Sequence, residues 1–470
     1  MRLPVRRKRA GFLLIYLGLG LLFLLKWFDI PMEYQLNYCV LLMAYFIVGG
    51  VTFYFYASGK VKIFDPFSII SMLYLMIMVI YPLYDYIRMN LAKSGVDTSA
   101  GCIKATLIFM PAYCLFCLGY FRKQTKRVES NFFRNIEALA NKDMALIGII
   151  CWIVSFIGCM AGQASRGFSI QYILSMGRVA QQNEVFINSS SGGLLFLLML
   201  APTMIVSQMM ILVYSKNCVL KLCTMVLSFI YLFMRGSRML VLVMIAAPLV
   251  YWYIKRNRSP SMHLMTCAGI TALILFAILQ IARVSIARGQ DFRAIVNEHL
   301  LSLDTYLAVF ESDFSTYKVF YGIVQAIPQK KGYLMGEGLF GYTLALIIPR
   351  ALWPGKPDAP ERAVVYAAMG QRAVDAGNAY PNLGTFYSEF GIIGCLIFMW
   401  IYGALASKSK KLMASSMKSQ MILYACLWPF FFQLTARSIS NAFYSLFFGM
   451  LPMIAAWLYS NLTQKRRCRR

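Results

Sequence analysis

The chain has 470 residues, 59% hydrophobic and 14% charged, with a mean hydropathy of +0.62. These values exclude an ordinary soluble domain and place the chain among integral membrane proteins. The net charge of +27 does not call for nucleic acid, because basic residues in a multi-span chain mark loops beside anionic lipid.

The amino terminus is basic through Arg9 and is followed by an apolar run from Ala10 to Phe28. No small-x-small cleavage site closes that run, so it reads as a retained first helix. Taking about 20 apolar residues per crossing, about twelve spans are expected. They lie near Ala10–Phe28, Leu36–Ala57, Phe67–Ile87, Cys102–Phe121, Met144–Gly162, Leu194–Tyr214, Val219–Met234, Met239–Ile254, Met262–Ala282, Phe386–Ala406, Met421–Ala436 and Ala442–Ser460. Residues 1–282 thus carry nine spans with short loops, 283–384 form one large polar loop, and 385–470 add three spans and a basic tail.

Lys and Arg set the orientation. The clusters at Arg122–Arg127, Lys255–Arg258, Lys408–Lys411 and Lys465–Arg470 fall on one side, which is therefore cytoplasmic and holds both termini. The large loop faces outward. The shorter outer segment 163–193 contains the amphipathic stretch Phe168–Met176, suited to lie in the interface. The large loop should open as a helix from Asp291 to about Ile327, with one apolar face, ended by Pro328. The apolar run Thr343–Ile348 is too short to span and reads as re-entrant or interfacial.

Several residues on the outer side carry chemistry. Arg235 and Arg238 share a tight turn, where they either snorkel to headgroups or clamp a phosphate through bidentate forks. Arg437 occupies a similar turn. Arg283 and Arg288 follow the ninth span as solvated charges or phosphate contacts. The string Pro349–Pro357 holds three prolines in nine residues, a rigid path bearing Arg350, Trp353 and Lys356. Such a turn would preorganise cations for a charged leaving group. Asn378, Tyr380, Asn382 and Tyr387 offer amides and hydroxyls suited to sugars, or else form turns and interface anchors. Glu389, just inside a span, would be a general base or an Arg partner, and Asp304 and His299 are further acid–base candidates. No metal site is assigned: only two histidines exist, and the triplet Glu311-Ser312-Asp313 alone is a weak divalent-ion signal. Cys114 and Cys117 form a CxxC within a span, where packing is the expected role.

Pro349-Arg350, Trp353-Pro354, Lys356-Pro357, then Asn378, Gly384, Tyr387, Phe390-Gly391 and Gly394 resemble the Wzy-type oligosaccharide repeat-unit polymerases of O-antigen and capsular polysaccharide. The Gly236-Ser237-Arg238 turn resembles their outer Arg-bearing turn. The resemblance implies an all-α, GT-C-like glycosyltransferase of the bacterial inner or plasma membrane. It would use undecaprenyl-diphosphate-linked oligosaccharide as donor and acceptor and no cofactor. It also implies roles: Arg238, Arg350 and Lys356 would stabilise the departing diphosphate, and Asn378 and Tyr387 would line the glycan site. A chain-length regulator and a flippase would be partners. The alternatives are the flippase for the same lipid-linked unit, or a related glycan ligase.

Overall fold

Backbone in lipid must satisfy its own hydrogen bonds, so long apolar runs fold as helices. The computed structural model describes residues 5–122, 131–164, 193–235, 238–258 and 314–468 apart from 376 and 438, with isolated positions between 260 and 311. Within them the chain is almost wholly helical, with one short hairpin. Seven helices are long and apolar enough to cross a membrane: Met32–Ala57, Pro66–Ile87, Ser99–Phe121, Asn141–Ala164, Leu197–Tyr214, Asn382–Met413 and Ile439–Gln464. Val5–Leu25 and Lys418–Ala436 are helical too, and Cys218–Leu232 and Met239–Lys255 are shorter apolar helices. Each expected span thus coincides with a helix except Met262–Ala282, which falls largely outside the described residues, as do the stretch 168–176 and most of 283–310.

Loops that were expected on the same side touch one another. At one end, Lys62 Nζ donates to Asn257 Oδ1 at 3.0 Å and Lys410 Nζ pairs with Asp65 Oδ2 at 2.9 Å. Ser419 Oγ donates to Glu137 Oε2 at 2.9 Å and Ser460 Oγ to Asn135 O at 2.6 Å. At the other end, Asn90 reaches Glu311, Lys93 reaches Ser315, Asn378 reaches Ser94 and Ser440 reaches Glu361. We call the second the loop end.

Glycine permits the closest helix contact. A Cβ on Gly403 would lie 2.1 Å from Phe116 O, and one on Gly119 would lie 2.2 Å from Trp400 O. Helices Ser99–Phe121 and Asn382–Met413 therefore meet backbone to backbone, as small residues allow in membranes. An aromatic core including Tyr38, Tyr74, Tyr113, Phe116 and Tyr387 surrounds this contact.

The large loop sends a helix into that core. Helix Thr316–Ala326 ends at Ile327, before Pro328, as the sequence indicates. The apolar face expected from Phe292 to Phe310 lies outside the described residues. In the helix that is described every residue but Gln325 is buried, Lys318 included, so neighbours enclose it on all sides. Gly101 admits it, since a Cβ there would fall 2.3 Å from Tyr321 O.

The hairpin pairs Ala92–Lys93 with Val96–Asp97. Ser94 and Gly95 between them both have positive φ (54° and 84°), the backbone that a two-residue hairpin turn requires.

Candidate functional site

The proline-rich turn after Ile348 folds tightly, with Leu352 N and Trp353 N both donating to Pro349 O. Arg350 Nη2 pairs with Asp358 Oδ1 at 2.6 Å, and Lys356 Nζ donates to Ile348 O at 3.1 Å. Asp358 is 88% exposed, so that pair is open to exchange with another anion. Burial and then the nearby Arg350 guanidinium push Lys356 down to about 8. The turn thus brings Arg350 and Lys356 together, with Trp353 half-exposed beside them.

The turn continues from a short helical segment, a π turn Glu337–Tyr342 followed by Thr343–Ala345. Phe340 and Leu344 are exposed while Tyr342 and Leu346 are buried, as suits a segment lying flat in an interface. Glu389 fixes its start. Glu389 Oε2 accepts from Gly336 N at 2.7 Å, and Oε1 accepts from Leu339 N at 2.9 Å. The long helix bearing Glu389 breaks at Phe390 and Gly391, where Gly391 has φ 65°. Leu334 N and Met335 N take up Ser388 O and Glu389 O at that break. Glu389 was expected as a base or an Arg partner. Instead, both carboxylate oxygens are held by main-chain N–H groups, and the residue is fully buried.

The carboxyl-terminal turn joins the same region. Thr343 Oγ1 lies 3.1 Å from Ser440 Oγ, which donates to Glu361 Oε1 at 2.8 Å. Arg437 caps the preceding helix in extended backbone and lies in electrostatic range of Lys93. Arg235 Nη1 donates to Leu198 O at 2.8 Å, with Tyr231 and Tyr444 in electrostatic range. Arg238 opens helix Arg238–Lys255, but its side chain lies outside the described residues. So do Arg283, Arg288, His299, Asp304 and Asp313.

The residues expected at a glycan divide in two. Trp353 and Asn378 lie toward the surface, and Asn378 Nδ2 donates to Ser94 Oγ at 2.9 Å. Tyr380, Asn382 and Tyr387 are buried in the core. Asn382 Oδ1 accepts from Tyr74 OH at 2.8 Å, and Tyr387 OH donates to Ile327 O at 3.2 Å. In this arrangement those two side chains tie helices together instead of facing a sugar.

The structure adds residues that the sequence reading passed over. Asp85 and Lys318 form an ion pair at 2.8 Å with both side chains 1% exposed, and Tyr317 OH donates to Asp85 at 2.5 Å. Lys93 Nζ donates to Ser315 Oγ at 2.7 Å and to Ser315 O at 3.3 Å. Asp85 left a signal, a carboxylate inside an apolar run. Lys93 left none. Among the described residues no group of three metal-ligating side chains gathers. Comparisons with protein-family models, curated proteins and solved structures return no match for this chain.

Proposed function

We propose that this chain is a Wzy-type polymerase, a GT-C-like membrane glycosyltransferase with about twelve spans. It would join undecaprenyl-diphosphate-linked repeat units into O-antigen or capsular polysaccharide on the outer face of the bacterial inner or plasma membrane. The growing chain leaves its lipid diphosphate and is transferred to the terminal sugar hydroxyl of a new unit. The observation that carries this reading is the pairing of Arg350 and Lys356 on one rigid turn, continuous with a segment that exposes Phe340 and Leu344. Cations at an apolar rim suit a diphosphate whose other end is a lipid, and they stabilise charge as it develops on the leaving group. Two-ended gathering of the loops agrees with their expected sorting into two sides; the basic clusters then make the side holding both termini the cytoplasmic one.

The test is reconstitution in liposomes with lipid-linked units extracted from cells lacking this protein. Polymer without any added acceptor supports the reading; single units left unchanged by wild-type protein sink it. Arg350→Ala and Lys356→Ala should each lower the rate by about 10²-fold or more while the protein still elutes as a folded species.

One observation favours a second reading, a flippase for the same unit: the helix broken at Gly391, facing a capped half-helix, is a feature of transporters. Deletion separates the two. Loss of a polymerase leaves single units on the cell surface, and loss of a flippase leaves none.

A further inference from the structure

Transfer of a sugar to a hydroxyl needs a group that receives the hydroxyl proton. Two carboxylates near the cationic turn already have other work. Glu389 is held by main-chain N–H groups, and Asp358 pairs with the guanidinium assigned to the leaving diphosphate. We infer that Glu361, anchored beside that turn by Ser440, is the general base. The inference rests on the polymerase reading and deepens it.

Contacts tie Glu361 to the turn from both limbs of the chain. One limb runs out through Thr343–Ala345 to the proline-rich turn, and the other returns through Asp358 into helix Pro360–Met369. Arg350 and Asp358 bridge the limbs at 2.6 Å, and Ala359 packs in the same apolar cluster as Tyr342 and Leu346. Ser440, itself buried, touches both: its Oγ lies 3.1 Å from Thr343 Oγ1 and donates to Glu361 Oε1 at 2.8 Å. The Tyr342 hydroxyl has Glu361, Arg350, Asp358 and Arg362 all in electrostatic range. A carboxylate and the leaving-group cation therefore gather around one side chain.

The mounting is rigid. Glu361 stands in the first turn of its helix, directly after Pro360, and Val364, Val365, Ala368 and Met369 of that helix are buried. A Cβ on Gly322 would lie 2.6 Å from Met369 Sδ, so the helix rests against the enclosed helix Thr316–Ala326. Glu361 is only half-buried, which leaves it within reach of an acceptor sugar. A group held by a packed helix and a buried serine keeps the geometry that proton transfer requires.

In the step itself, the bond from the anomeric carbon to the diphosphate oxygen breaks, and its electron pair departs with the diphosphate. The acceptor oxygen bonds to the anomeric carbon. Its proton passes to the Glu361 carboxylate, which becomes a carboxylic acid and later loses that proton to water.

The test uses full-length protein in liposomes with the extracted lipid-linked units. Glu361→Gln keeps the shape and an oxygen for Ser440 but is no base; it should slow polymerisation by about 10²-fold or more. Ser440→Ala removes the anchor, keeps the carboxylate and should slow it much less. Azide carries no proton to lose, so as a replacement acceptor it bypasses the base. Mass spectrometry should find glycosyl azide formed by Glu361→Gln as fast as by the wild-type protein. Glu361→Gln at the wild-type polymerisation rate, or equal losses in the two variants, overturns the inference. So does a fall in azide transfer as deep as the fall in polymerisation. Each of these leaves the polymerase reading standing, whereas failure of the wild-type protein to make polymer overturns both.

Discussion

Lys356 offers a readout independent of turnover. At its pKa of about 8, roughly half of its amine is neutral at pH 8, against well under ~1% for a lysine at the ordinary value. Amine-directed acylation at pH 8, followed by mass spectrometry, should therefore modify Lys356 well ahead of ordinary surface lysines. Pyrophosphate should slow that reaction, because an anion beside Arg350 and Lys356 restores the ammonium. Equal labelling with and without pyrophosphate would argue against an anion at the turn. The pair Asp85–Lys318 makes a stability prediction. Lys318→Met leaves the buried Asp85 carboxylate with the Tyr317 hydroxyl but no countercharge and should cost about 3–5 kcal/mol, whereas Asp85→Asn with Lys318→Met should cost much less. Thermal unfolding in detergent compares them. Residue type misleads where a partner is remote. Asn382 and Tyr387 look like sugar ligands until Tyr74 is found on one and Ile327 on the other. Lys93 looks like an ordinary loop cation until Ser315, 222 positions away, is found beneath it.

Helices were the most legible elements, because hydropathy over a span-length window needs no partner. The hairpin and the broken helix were not legible, since each depends on one or two backbone positions. Gly391 is such a position: its φ of 65° and Tyr333 OH, 3.0 Å from where a Cβ would stand, leave no room for a side chain. Gly391→Ala should lose about 1–3 kcal/mol from backbone conformation alone, since φ 65° with ψ −147° is a region nearly confined to glycine, besides shifting Tyr333. Gly403→Val should do worse, for there the obstructing atom is the Phe116 carbonyl, 2.1 Å away, and two helices must separate. Gly341→Ala is the control, with nothing within 4 Å of the added atom. Unfolding temperatures should rank Gly341→Ala nearest wild type and Gly403→Val lowest.

At the scale of the whole molecule, the two-ended gathering of loops makes orientation testable. Ser94→Cys should gain mass from a membrane-impermeant maleimide in intact cells, relative to the unsubstituted protein. Ser58→Cys, an exposed position at the opposite end, should gain it only after permeabilisation. Reversal of that pattern would turn the cationic turn away from the side where lipid-linked sugars are polymerised. Basic clusters give an expected orientation from sequence because charge bias is additive along the chain, and the labelling decides it. How the large loop packs was not readable. Its helix Thr316–Ala326 carries no lipid-length apolar run, yet lies deep, with the Tyr317 ring against Tyr81 and the Phe320 ring against Tyr387.

That enclosure has a practical consequence. Residues 283–384 look like a hydrophilic ectodomain to be excised for soluble study, but their central helix has no wet face of its own. Cut free, it would present Phe320, Ile323 and Val324 to water and strand the Lys318 ammonium without Asp85. An isolated fragment should therefore aggregate, and inhibitors or antibodies are better raised against the intact chain in a bilayer.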